Sequence, residues 1–427
     1  MDESIHPRAA LRYPGFRSFQ VARSLTVIAL EMQSVAVGWQ LFELTHRPLD
    51  LGLAGLAQFL PGLLLIAVTG PTADRIRRER IIRACLLGAL VTTGLLLSYS
   101  VLGGASPWPI YGILLGSGVV RAFHGPAGQS LLPLLVERRH FPNAVAWSSS
   151  FFQGSTIIGP VLGGVLYALT DSAKVVYATA WVALFGALMA ALRIRPVLEQ
   201  KPSGGRALAD VLAGFAYVAR TRAVLGAISL DLFAVLLGGA VALLPVYAKE
   251  ILMAGPWGLG LLRAAPGMGA VTTALLLAHR PLTRRAGPVM LACVAGFGMS
   301  TLAFGLSRSL PLSLLALVLL GAFDMVSVIV RGTIVQLHTP DEMRGRVSSV
   351  NMLFIGASNE LGQFESGLTA QWFGAVPAVL LGGLGSLAVV SLWSILFPEL
   401  RRIDRLTEIP VQRPRATEAA ATGTVDA

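Results

Sequence analysis

Charge is scarce in this chain. Only 13% of its 427 residues are Asp, Glu, Lys or Arg, while 54% are hydrophobic. Soluble domains carry about a quarter charged residues, so a soluble globular class is excluded. Cysteine is nearly absent: Cys85 and Cys293 both sit in apolar runs, which leaves no disulfide framework. No Gly-x-x-x-x-Gly-Lys-Ser/Thr loop occurs, so ATP drive within this chain is not expected. The six histidines are scattered, with no His-Glu-x-x-His and no Cys/His cluster. No metal, cofactor or nucleophile constellation is therefore expected, and the chain is not read as an enzyme. The N-terminal MDESIHPRAALRYPGF lacks a short apolar core and a cleavage site, so it does not read as a signal peptide. The short alternating segments of a membrane β-barrel are missing too.

What is present is a series of long apolar runs. Twelve predicted spans lie near 16–42, 51–70, 81–102, 109–135, 144–169, 175–192, 223–248, 257–279, 288–306, 311–337, 347–373 and 376–397. Runs of about 18 or more apolar residues are the signal of membrane helices. The fold class is thus all-α, an integral membrane protein of twelve transmembrane helices. The segment 193–222 divides the spans six and six. The expected organisation is a segment 1–15, a first half 16–192, the connection 193–222, a second half 223–397 and a tail 398–427. Within the connection, Leu208, Val211, Leu212 and Phe215 repeat at i, i+3, i+4, i+7, the apolar face of a short helix on the membrane surface.

The net charge of +11 invites a nucleic-acid reading, and the placement of the charge removes it. Of 34 basic residues, 26 fall in the terminal segments and every second connection, such as Arg75 to Arg83, Arg138, Arg139, Arg344 and Arg346. Arg47, Lys174, Lys249 and Arg308 alone occupy the opposite connections. This alternation places both termini in the cytoplasm of a bacterial inner membrane. Losing one span would scramble it, so it supports the twelve-span count independently. Membrane lipids are the expected surroundings, and the chain is expected to be a monomer.

The connection after the second span reads GPTADRIRRER. Gly70 and Pro71 end the span, and the arginines orient the loop. Asp74 has no part in orientation, since acidic residues contribute little to it. Gly70, Asp74, Arg75, Arg77 and Arg78 resemble the loop signature Gly-x-x-x-Asp-Arg-x-x-Arg-Arg of the major facilitator superfamily. The Gly usual before the final basic pair is missing. The resemblance implies a charge lock that helps hold one conformation. RAFHG in span 4 (Arg121, His124, Gly125) is similar to the superfamily's Arg-x-x-Gln-Gly, with His for Gln. GSTIIGPVLGG in span 5 (Gly154, Gly159, Pro160, Gly163, Gly164) resembles the antiporter signature of drug-exporting members, its first glycine one residue out of step. Small residues at that spacing let helices approach closely. TPDEMRGRV and THRPLDLGL resemble the subgroup that includes the bacterial enterobactin exporter. In the former, Thr339 and Glu342 form a capping-box pattern with Pro340 at the first helical position. TPDEMRGRVSS after span 10 parallels VERRHFPNAVAWSSS after span 4. A second copy of the loop signature, AHRPLTRRAG at 278–287, keeps its bases and lacks the Asp. The resemblance implies two pseudo-symmetric six-helix halves with a site between them near mid-membrane.

Nine charges lie inside the spans: Arg23, Glu31, Arg121, Asp231, Arg263, Asp324, Arg331, Glu360 and Glu365. Each costs about 2.5–3.5 kcal/mol at mid-membrane. Spans 3, 6, 9 and 12 hold none in their interiors, and in the superfamily these four face lipid. Glu31, Arg121, Asp324 and Glu360 sit near mid-span and are the candidates for proton coupling or substrate binding. Asp324 and Arg331 are seven apart on one helix face and are expected to pair; Asp231 is expected to meet Arg23. Arg23, Asp231 and Arg331 are thus structural ion-pair candidates. Gln58, Gln153, Asn359 and Gln363 either bond a ligand or bond across helices. The leading expectation is a secondary exporter that exchanges a proton for a small amphiphilic molecule by alternating access. An importer or lysolipid flippase of the same fold, and an intramembrane enzyme or receptor, stay open as alternatives.

Overall fold

The computed structural model describes residues 8–65, 68–69, 72, 76–198, 207–280, 282, 284–340 and 342–404. Among the described residues, twelve helices span the molecule in antiparallel order. In the first half they are α1 (Pro14–Thr45), α2 (Pro48–Leu64), α3 (Arg78–Val101), α4 (Trp108–Leu131), α5 (Phe141–Thr170) and α6 (Ala173–Leu192). In the second half they are α7 (Arg222–Leu237), α8 (Gly255–His279), α9 (Ala286–Leu306), α10 (Leu310–His338), α11 (Arg344–Phe373) and α12 (Ala375–Leu396). Several open on proline in the first turn, as α1, α2, α4, α5, α8 and α10 do. There a missing N–H costs nothing and the fixed φ suits a helix. α7 is broken: after Gly238 and Gly239 the chain continues through a 3₁₀ turn, Ala240–Leu243, and reaches a π turn, Tyr247–Ile251. A Cβ on Gly239 would stand 2.7 Å from the Gly362 carbonyl of α11, so the break and the close approach go together.

Among the described residues, length and apolarity alone single out nine helical segments able to cross a membrane. α2 is short, with 17 residues. The other two helices outside that count, α4 and α11, carry Arg121, His124, Asn359, Glu360, Gln363 and Glu365. They are the less apolar spans because they face the interior. α3, α6, α9 and α12 turn bulky apolar side chains outward, among them Leu87, Val91, Val182, Phe185, Met299, Leu306, Leu384 and Ile395. These are the four helices that the superfamily resemblance implies face lipid.

The two halves are joined unequally. One large apolar cluster draws on both: Met32, Trp39, Phe42, Leu96 and Tyr177 from the first, Tyr247, Leu262, Phe304 and Leu317 from the second. It lies at the end of the molecule away from the termini. Towards the terminal, arginine-rich end the core divides into clusters confined to one half each. Glycines report the same asymmetry. Cβ atoms built on Gly163 and Gly164 of α5 would fall 2.8 Å from Met32 Cα and 2.6 Å from the Pro256 carbonyl. Gly125, Gly154, Gly332 and Gly345, nearer the arginine-rich end, would meet nothing within 4 Å. The space between the halves is sealed at the far end and open at the arginine-rich end. Gly163→Val would force α1 and α5 apart. Its expected outcome is a lower thermal-unfolding midpoint in detergent, whereas Gly154→Val should leave the midpoint unchanged.

The connecting helix, Ala207–Arg220, forms where a surface helix was expected. It packs on the second half, against the end of α10 and the start of α11. Gly214 abuts the Arg346 carbonyl of α11, Phe215 packs on Phe354 at 5.7 Å between ring centroids, and the Tyr217 hydroxyl donates to the His338 carbonyl. Leu212, part of the expected apolar stripe, is exposed. The capping box also fails. α11 starts at Arg344, and the Thr339 hydroxyl bonds back to the Val335 carbonyl, finishing α10 rather than opening α11.

Candidate functional site

Between the halves lies a cavity of about 570 Å³. α1, α2 and α4 turn Glu31, Gln58, Arg121 and His124 into it; the segment after the break in α7 supplies Pro245, and α8 and α11 supply Arg263 and Gln363. Arg121 of the first half reaches across to Glu360 of the second, Nη2 to Oε1 at 3.3 Å. Its other nitrogen donates to Gln58 Oε1 at 3.2 Å. Gln363 Nε2 donates to the second Glu360 oxygen at 3.2 Å. Glu360 is thereby held from both sides, and Gly55 of α2 leaves it room, its Cβ position being 3.4 Å from Oε2. Glu31 has no ion-pair partner among the described residues and lies within the fields of Arg263 and Arg121. The centre thus holds two carboxylates and two guanidiniums shared between the halves.

The structure brings three of the four mid-span candidates together and separates Asp324 from them. Asp324 borders a void of about 10 Å³, room for about one water, with Asp231 and Ser327. The expected pairings are exchanged. Arg331 is engaged by Asp231 of α7, not by Asp324 of its own helix. Residues seven apart share a face, yet the rotation of α10 turns that face to α7, which no spacing rule specifies. Arg23 donates to Ser148 of α5 and stacks over the Phe152 ring at 5.0 Å, away from Asp231. Glu365 accepts from Thr369 one turn on at 2.7 Å.

The antiporter-like glycines are a packing surface. Gly159 lies against Glu31, its Cβ position 2.6 Å from Glu31 Cβ, and Gly163 against Met32. Gly164 and Pro160 touch Gly260 of α8. Gly159 therefore fixes how deeply Glu31 enters the site. Of the lock residues, Gly70, Asp74 and Arg75 lie outside the described residues. Arg77 pairs with Glu79 at 2.7 Å, and Arg78 donates to the Ser130 carbonyl at the end of α4, also at 2.7 Å. Arg83 binds the last carbonyls of α6, those of Ala191 and Leu192. Cations suit that negative helix end. In the second half the missing acid is supplied from elsewhere: Asp404, beyond α12, accepts from the backbone N–H of Arg285 at the start of α9, at 3.0 Å.

Sequence reasoning missed the closure at the far end. Glu43 at the end of α1 accepts from Trp39 at 2.7 Å and from Tyr167 of α5 at 3.0 Å. Lys249 in the π turn of the other half lies 3.5 Å from the same carboxylate, over the Trp39 and Phe42 rings. The signal was available: Lys249 is one of four basic residues on the poorly charged side.

A family model described as transmembrane secretion effector matches residues 5–422. The chain belongs to that family, within the major facilitator superfamily. The chain is 28% identical to a protein named enterobactin exporter from Citrobacter koseri, over 94% of this chain and 96% of that one. A counterpart of the same name from Escherichia coli O81 is 29% identical, over 88% and 86% of the two chains. Among solved structures it is similar to a nucleoside transporter, with TM-score 0.69 at 13% identity, covering 90% of this chain and 99% of that one. It is also similar to an inward-facing bacterial homologue of ferroportin, with TM-score 0.67 at 16% identity, covering 92% and 99%. The solved structures show the twelve-helix major facilitator fold, and the family match makes the chain a multi-pass membrane transporter, not an enzyme.

Proposed function

We propose that this transporter is a proton-coupled exporter of the bacterial inner membrane, carrying a small siderophore-like or drug-like amphiphile by alternating access. The observation that carries the reading is the charge cluster shared between two halves, in a cavity open at one end and sealed at the other. A carboxylate that alternates between dry surroundings and contact with a guanidinium takes up and releases a proton. Arg121 stays charged throughout and supplies that contact. The relatives named as enterobactin exporters support the outward direction and the substrate class. Efflux of a panel of siderophores and drugs, from cells with and without the chain, tests it. The expected outcome is chain-dependent efflux that collapses with an uncoupler. Efflux indifferent to the uncoupler would remove the proton.

The arginine-rich end is assigned to the cytoplasm, with both termini there, which makes the present conformation inward-facing. Single cysteines at Ala105 and Gly345, both exposed and at opposite ends, should react with an impermeant maleimide from opposite sides of the membrane, Ala105 from outside. Labelling of both from one side contradicts the assignment. The loop residues Gly70, Asp74, Arg75, Arg77 and Arg78 are assigned to a conformational lock away from the substrate. Asp74→Asn should slow transport and leave equilibrium binding within a few-fold, as measured by ligand titration beside initial efflux rates.

A further inference from the structure

Four arginines lie inside the spans, and three are occupied. Arg23 holds Ser148, Arg331 holds Asp231, and Arg121 holds Glu360 and Gln58. Arg263 of α8 lines the cavity and has no hydrogen bond and no carboxylate within 4 Å among the described residues. Glu31 and Glu360 act on it only through space. A guanidinium left without a partner in a membrane interior is costly, and five donors aimed at a cavity match an anion's oxygens. Glu31 of α1 lines the same cavity from the first half, is equally without a bonding partner among the described residues, and repels an anion unless the ligand offers it a proton or an N–H or O–H donor.

We infer that Arg263 is the specificity-determining residue for an anionic group of the transported amphiphile, with Glu31 receiving a hydrogen-bond donor beside that group. The ligand class is an organic acid that carries an N–H or O–H next to its anion on an apolar frame. Arg121 does not take this role in the inward-facing state, since Glu360 and Gln58 already fill its donors. The inference rests on the cavity being the amphiphile site.

Two dyes separate the claims. 1-Anilinonaphthalene-8-sulfonate carries a sulfonate beside an N–H; N-phenyl-1-naphthylamine has the same rings and N–H without the sulfonate. Binding is titrated on purified full-length protein in one detergent, with no transport needed. Wild type should prefer the sulfonate by about tenfold, which corresponds to 1.4 kcal/mol. Arg263→Gln should abolish the preference without weakening the neutral dye, and Arg263→Lys should keep part of it. Glu31→Gln, which replaces the charged acceptor of the shared N–H by a neutral one, should weaken both dyes alike and leave the preference for the sulfonate. Equal binding of the dyes in wild type, or a preference unchanged by Arg263→Gln, overturns the inference and leaves the cavity as an amphiphile site. Failure of both dyes to bind overturns the inference together with the reading beneath it. Should Arg263→Gln not yield folded protein, the Lys and Glu31 variants decide alone: sulfonate binding unmoved in both overturns the inference.

Discussion

Asp231→Leu is expected to destabilise this transporter by about 3–5 kcal/mol, the range for removing one partner of a buried ion pair. Asp231 is 7% exposed and Arg331 3%. The pair ties α7 to α10 beneath the cavity, and the variant strands a guanidinium that neither water nor lipid can solvate. Arg331→Met should cost a similar amount by stranding the carboxylate. The double variant Asp231→Leu/Arg331→Met should recover most of the loss, because an apolar pair of similar volume removes both desolvation penalties. Thermal unfolding of the three variants in one detergent measures this. A double variant no better than the singles would show that α7 and α10 need the charge for a reason other than mutual compensation.

Glu31→Gln and Glu360→Gln are expected to divide transport into its parts. At least one should lose uphill, proton-driven efflux to background while keeping downhill counterflow, since the cavity and the alternation remain. Glu360 is the more constrained of the two, gripped by Arg121 and Gln363. Its variant should also release Arg121, so its counterflow affinity is expected to change more than that of Glu31→Gln. Full uphill efflux with unchanged pH dependence in both variants would reduce the carboxylates to structural parts.

The span count was legible because it depends on local quantities: run length, composition and the sign of loop charge, while the lipid-facing helices came with the superfamily resemblance. The partners were not. Arg331 shares a helix face with Asp324, but whether that face turns to its own neighbour or to α7 is set by the rotation of α10 in the packed bundle. Arg121 and Glu360 are separated by more than half the chain and meet because α2, α4 and α11 converge. Asp404 shows the same limit at the helix ends. The loop signature at 278–287 lacks its acid, and only the folded chain shows a carboxylate from beyond α12 at the start of α9. The break in α7 was written in Gly238 and Gly239, yet a paired glycine in an apolar run reads equally as close packing until Gly362 is seen against it.

The unequal joining of the halves sets a toll on ligands by the side from which they arrive. Prising the far end apart means separating Lys249 from Glu43, pulling Gly164 away from α8 and dividing an apolar cluster that spans both halves. A form open at that end is correspondingly sparse at rest. If it makes up about 1% of molecules, a ligand arriving there binds about a hundredfold more weakly than the same site would allow. The transporter then behaves as a one-sided receptor whose preference for a side is written in glycines and a distant lysine, while the charges that contact the cargo can be identical in both states.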